Sequence, residues 1–308
     1  MAGEADHDVV VIGGGAAGVN CALECFDIQL DTILVEAGAT LGGQLSEIGH
    51  SVRNVAAGRF ADGRALQRAL LESAEILGDR VRLSHPATTA DLTARAIEVD
   101  GERLSGRAVV VATGTRRQYL EAAPDGAFGG DITYQVEPQL PRFAGHDVAV
   151  IGGGDSATLD ALELARRGSS VKLIHRSPEL SARFDIVRQI HEEPGVEDLP
   201  GWELEAAQGL DRLENIVIVH HSTGERVDIA VQGLVVKIAR LPNTHLFADQ
   251  VELDGSGAIV VDRELRTSRS GVFAAGDVVA GAYPRVAAAL GHGSLAARSV
   301  LQHLEGRS

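Results

Sequence analysis

Apolar residues stand in an unbroken row at Val9–Ile12 and again at Val148–Ile151. A strand with one wet face alternates apolar and polar positions. A row without alternation reads as a strand covered on both faces, the pattern of a parallel sheet. Each row runs into a glycine-rich turn, Gly13-Gly14-Gly15-Ala16-Ala17-Gly18 and Gly152-Gly153-Gly154-Asp155-Ser156-Ala157. A helical stretch follows each turn, then a second apolar run, Asp31–Glu36 and Val171–Arg176. The chain therefore carries one βαβ unit twice, starting at Asp8 and at Asp147.

Other runs fill the intervals. Val81–Leu83 and Ala96–Val99 read as strands, the second with a hairpin turn at Gly101, and Ala108–Ala112 as a buried strand ending in Thr113-Gly114. Ile216–His221 and Val227–Ala230 pair as a hairpin around Gly224, followed by strands at Gly233–Ile238 and Gly271–Ala275 and a long closing helix over 284–303. Glu192–Pro200, charged and flanked by prolines, reads as a surface loop. This order predicts one dinucleotide-binding domain, residues 1–114 and 244–308, interrupted by another at 115–243.

Composition sharpens the picture in two places. Glycine is in excess, 36 of 308 residues, without any Gly-X-Y period, so it belongs to turns and close backbone approaches. With 28 Lys+Arg against 43 Asp+Glu the net charge is −15, which argues against a nucleic-acid partner or an anionic membrane surface. No apolar run is long enough to span a bilayer, and the start MAGEADHD is acidic where a signal peptide would be basic and then apolar. Two cysteines cannot form a disulfide framework for a chain of this size, and no cluster has zinc spacing. The expectation is a reduced, cytoplasmic protein.

The turns carry the chemistry. In Gly13-x-Gly15-x-x-Gly18 the first glycine makes the tight turn, the second lets backbone approach a pyrophosphate, and the third allows close helix–strand packing. The N–H groups of Ala16 and Ala17 open a helix there, and a helix N-terminus favours phosphate. Glu36, followed by Ala37, ends the next strand 18 positions after Gly18, where a carboxylate can accept from a ribose diol. The second turn, Gly152-x-Gly154-x-x-Ala157 with Asp155 and Ser156, is followed by His175-Arg176 in place of an acid. Arginine pairs with a 2′-phosphate that a carboxylate would repel, so the second nucleotide is expected to be NADPH, with Arg183 as a further contact.

One acid-type and one arginine-type unit point to FAD plus NADPH. Together with Gly42-Gly43-Gln44, Asn54, Val111-Ala112-Thr113-Gly114-Thr115, Pro242-Asn243-Thr244 and Gly271–Asp277, they make the chain resemble the low-molecular-weight thioredoxin reductase group of flavoproteins over nearly its whole length. The resemblance implies an α/β protein of two Rossmann-like three-layer (ββα) dinucleotide-binding domains, the NADPH domain inserted into the FAD domain, forming homodimers. It implies that Gly276-Asp277 holds the FAD ribityl chain, that Gly43-Gln44 lies along the flavin, and that Pro284-Arg285-Val286 aims helix N–H groups at the flavin N1/O2 edge.

The resemblance breaks at the redox relay. Thioredoxin reductases carry a CxxC before the second glycine strand, and those positions here hold Gln135 and Pro138. The only cysteines, Cys21 and Cys25, share one helix face, a poor geometry for a disulfide, and read as packing residues. The leading expectation is an FAD-dependent NAD(P)H oxidoreductase that reduces its acceptor without a CxxC relay. The alternatives are a ferredoxin or flavodoxin reductase, a disulfide reductase using Cys21 and Cys25, and a flavin-binding protein with a decayed NADPH site. His50, near Gly43-Gln44, is a further candidate for the flavin face.

Overall fold

A computed structural model describes residues 5–56 and 58–306; the first four residues of the acidic start lie outside the described residues. Among the described residues five helices have nine or more residues: α1 (Ala16–Asp27), α2 (Gly63–Ala74), α3 (Asp155–Ala165), α4 (Phe184–Glu192) and α5 (Val286–Leu304). The chain divides into two compact units, 1–116 with 241–308, and 117–240.

In the first unit the strand His7–Ile12 lies in parallel between Thr32–Val35 and the second half of Glu102–Val111. Val272–Ala274 and Val81–Arg82 extend this parallel sheet at its two sides. The unbroken apolar row now has its reason. Val9 and Val11 face the core beneath α1, α2 and α5, while Val10 and Ile12 face a second core on the other side of the sheet. The strand Glu102–Val111 serves two sheets. Its first four residues pair antiparallel with Ala96–Val99 across a turn at Asp100 and Gly101, and both turn residues have positive φ (51° and 80°). That is the backbone a two-residue hairpin requires.

The second unit repeats the plan. Its parallel sheet runs, in order, Ile132–Thr133, Gly233–Val236, Asp147–Ile151, Ser170–His175 and Val196–Pro200. Val148 and Val150 face the helices; Ala149 and Ile151 face a three-stranded antiparallel sheet of Trp202–Gly209, Leu213–His220 and Arg226–Ala230. Helix layer, parallel sheet and antiparallel sheet make three layers in each unit.

The stretch Glu192–Pro200 corrects the sequence reading. It is not a loop throughout: Val196–Pro200 is the edge strand of the parallel sheet. An edge strand tolerates charge and a terminal proline because one side needs no ladder partner. Here the neighbouring strand gives the carboxylates partners, Lys172 for Glu197 and His175 for Asp198.

Candidate functional site

The first glycine turn separates packing from binding. Gly13 has φ +104°, and a Cβ on it would stand 2.5 Å from the Ala112 carbonyl oxygen. A Cβ on Gly18 would stand 1.8 Å from the Gly13 carbonyl oxygen. The chain's own packing therefore demands both glycines. Gly15 is different, for a Cβ there would meet nothing within 4 Å. Its backbone is extended (φ −72°), so strain does not require glycine either. Bare backbone bordering open space, at the N-cap of a helix with no capping side chain, fits a pyrophosphate held by the first-turn N–H groups.

Residues far apart in sequence close around that space. Gly42 N–H donates to the Gly14 carbonyl at 2.7 Å, which draws Gly43 against Gly15. The Gln44 amide donates to Thr115 Oγ1 at 3.0 Å and to Asp277 Oδ2 at 3.4 Å. Thr113 and Asn243 exchange two hydrogen bonds, at 2.7 and 2.8 Å, and so fix the chain just after the Glu102–Val111 strand, next to Gly114. Gly276, at φ +79°, abuts Ala17 so closely that a Cβ would lie 2.8 Å from the Ala17 methyl. The Glu36 carboxylate accepts from Gly14 N–H and Gly38 N–H, both at 2.6 Å, with Ala37 exposed between. Both its oxygens keep lone pairs for a diol.

Asn54 is exposed on the strand Val52–Val55, without a hydrogen bond to Gln44, and His50 is also exposed. At the start of α5, Arg285 is the N-cap residue and stacks its guanidinium on Tyr283 at 4.8 Å. The Arg285 side chain makes no capping hydrogen bond to the first turn, which leaves the N–H groups there suited to an anion. Sequence reasoning missed His292, whose Nδ1 accepts the Gly276 N–H at 3.2 Å. The available signal was one histidine between Gly291 and Gly293, directly after the apolar stretch Val286–Leu290 that begins the helix.

The second turn has the same logic. A Cβ on Gly152 (φ +135°) would lie 2.1 Å from the Lys237 carbonyl oxygen, and Ala157 packs against the same spot. Gly154, the N-cap of α3, borders only Ser181 Oγ at 3.8 Å. Ser156 is exposed on the first turn. Asp155 accepts Arg183 N–H at 2.8 Å, and the Arg183 guanidinium lies 3.3 Å from its other oxygen. The charge of Arg183 is thus already matched within the chain. Arg176 is exposed and makes no hydrogen bond or ion pair among the described residues, so it is the cation free to meet a 2′-phosphate. His175 is buried beneath Gly153 with Nε2 held by Asp198 at 2.9 Å. Deeper in α3, burial pushes Asp160 up to about 6, opposed by Lys237 at 3.0 Å.

At the place of the relay, Gln135 and Pro138 are exposed. Cys21 and Cys25 are fully buried, and the neighbouring Cys25 thiol together with burial pushes the Cys21 thiol well above the usual range. A reactive cysteine needs the opposite, an accessible thiolate. Cys21→Ala combined with Cys25→Ala should keep the flavin and its reduction of ferricyanide. The expected cost is stability, about 1 kcal/mol per small truncation, read from urea melts. Lost turnover with a disulfide substrate at unchanged stability would instead make the pair redox-active.

Comparison with known proteins agrees with this geometry. The family model described as pyridine nucleotide-disulphide oxidoreductase matches residues 7–293. The thioredoxin reductase of Treponema pallidum is 30% identical, with 98% of each chain covered. The bifunctional thioredoxin reductase/thioredoxin of Mycobacterium leprae is 32% identical over 96% of this chain, which spans 65% of that protein. The crystal structure of Lactococcus lactis thioredoxin reductase (FR conformation) superimposes with a TM-score of 0.86 at 27% identity, covering 98% of this chain and 100% of that one. With glycine turns that fit two dinucleotides, the chain belongs to the pyridine nucleotide-disulphide oxidoreductases, among the thioredoxin reductase-like flavoproteins, and its cofactors are FAD and NADPH.

Proposed function

We propose that this oxidoreductase delivers electrons from NADPH through FAD to an acceptor that meets the flavin directly, with no dithiol between them. The observation that carries this reading is chemical: Gln135 and Pro138 cannot cycle between thiol and disulfide, and Cys21 and Cys25 are sealed inside the first unit. When bound, FAD takes up a hydride and returns electrons singly or in pairs. The chain supplies binding and orientation. The uncapped starts of α1 and α3 hold the pyrophosphates, Glu36 the adenosine ribose, Asp277 the ribityl chain, and Gln44 the edge of the flavin. The N–H groups at the start of α5 stabilise the negative charge that reduction places on the ring. The same reading makes the enzyme a cytoplasmic homodimer, which analytical ultracentrifugation checks for the assembly.

Anaerobic titration tests the proposal. NADPH should bleach the flavin, and ferricyanide should restore its colour, while thioredoxin is left oxidised. Efficient thioredoxin reduction would overturn the reading. Nucleotide choice is a separate prediction. Arg176→Ala should narrow the preference for NADPH over NADH by about 1–3 kcal/mol, the range for a charge-assisted contact. Equal flavin reduction by both nucleotides in the wild type would show that Arg176 does not read the 2′-phosphate.

A further inference from the structure

Gly276 is the pivot of the turn that carries Asp277. Its N–H finds no backbone partner and is donated to His292 Nδ1 at 3.2 Å. The histidine is delivered by a close helix crossing: a Cβ on the adjacent Gly293 would stand 2.4 Å from the Ala17 carbonyl oxygen. Asn20 of α1 ties the same stretch down, donating to Leu290 O and Ser294 Oγ, both at 2.8 Å. One rigid contact thus fixes three things together, namely the first turn of α1, the ring of His292 and the Gly276–Asp277 turn.

To accept from an N–H, Nδ1 must be unprotonated, which leaves the proton of the neutral ring on Nε2. Burial lowers the pKa of His292, and Asp277 opposes that by favouring the proton. On the facing helix α1, Glu24 is engaged by Ser294 Oγ at 2.8 Å. A protonated ring would turn an acceptor into a donor facing the Gly276 N–H.

We propose that His292 is a positioning residue for FAD: it holds the Gly276–Asp277 turn by accepting the Gly276 N–H, and its protonation releases the turn and loosens the flavin. The proposal rests on the reading of Asp277 as a flavin-binding residue. The sign follows from the lowered pKa. The hold is complete above the ordinary histidine value of about 6.5 and is lost as pH falls through the lower value of the folded protein.

The test is FAD dissociation from the holoprotein, followed by flavin fluorescence between pH 8 and 5, for wild type, His292→Asn and His292→Ala. The asparagine amide oxygen takes the place of Nδ1 as an acceptor that does not titrate. Wild type should lose about 5–10-fold in FAD affinity as pH falls, the worth of one hydrogen bond. His292→Asn should bind at pH 8 as wild type does and stay flat with pH. His292→Ala should be weakened at every pH by about the same factor; if it does not fold by circular dichroism, the asparagine variant decides. A flat wild-type profile, or an equal pH dependence in His292→Asn, overturns the proposal while leaving FAD in place. Wild type that retains no FAD overturns it together with the reading beneath it.

Discussion

Gly15→Val should give a folded, colourless protein. A Cβ at this position would meet no packed neighbour within 4 Å, so packing against the rest of the fold gives no reason to resist the substitution. The pyrophosphate has every reason, since the substituent takes the place where backbone must approach it. We expect at least a 100-fold loss of FAD affinity, about 3 kcal/mol, with a circular dichroism spectrum like that of wild type. Gly18→Val is the contrast: its Cβ would fall 1.8 Å from a backbone oxygen, so that variant should fail to fold. A Gly15→Val protein that keeps its full yellow colour would remove the first glycine turn from the argument.

The second large effect concerns Asp131, whose carboxylate is fully buried in the second unit. It accepts from Arg142 Nε at 3.1 Å, from Arg212 Nε at 2.6 Å and from the Leu213 N–H at 3.1 Å. Asp131→Ala would strand these donors. Removing one partner of a buried ion pair costs about 3–5 kcal/mol. Arg212 is largely exposed, and its solvent screening places this case at the lower end. Urea unfolding at pH 7 measures it; a loss below about 1 kcal/mol would mean water takes over the carboxylate's role. Burial alone would raise the Asp131 pKa, but Arg212, the Leu213 N–H and Arg142 outweigh it and hold it below the usual value. The stability Asp131 provides is therefore complete above its unfolded pKa of about 3.8 and disappears as pH falls through the lower folded value. The Asp131→Ala protein should lack that part of the acid sensitivity.

The glycine turns show what is legible in a linear sequence. Row, turn and helix are contiguous, and burial on both faces leaves its mark in unbroken apolar residues such as Val9–Ile12. The need for glycine shows locally in the positive φ of Gly13 and Gly152 and in the Gly13 carbonyl that presses on Gly18, while the Ala112 and Lys237 carbonyls that also crowd Gly13 and Gly152 lie far along the chain. The buried cysteines of α1 could be read in the same way, from helical spacing.

What the sequence could not show is which distant groups meet. Gln44 reaches Thr115 across 71 positions and Asp277 across 233, and nothing near any of the three announces the others. Arg183 reads as a phosphate ligand until the fold sets Asp155 beside it. Val196–Pro200 reads as a loop because its carboxylates count as polar until Lys172 and His175 on the next strand answer them. His292 reads as one histidine in a helix until Gly276 turns its N–H toward it. Sequence by itself determined the two βαβ units, their glycine turns and the absence of a CxxC, because each is set by local backbone geometry or by residue identity. Only the tertiary structure decided which charges are already matched and which donors and acceptors remain for a cofactor, because that depends on packing between segments that the chain order keeps apart.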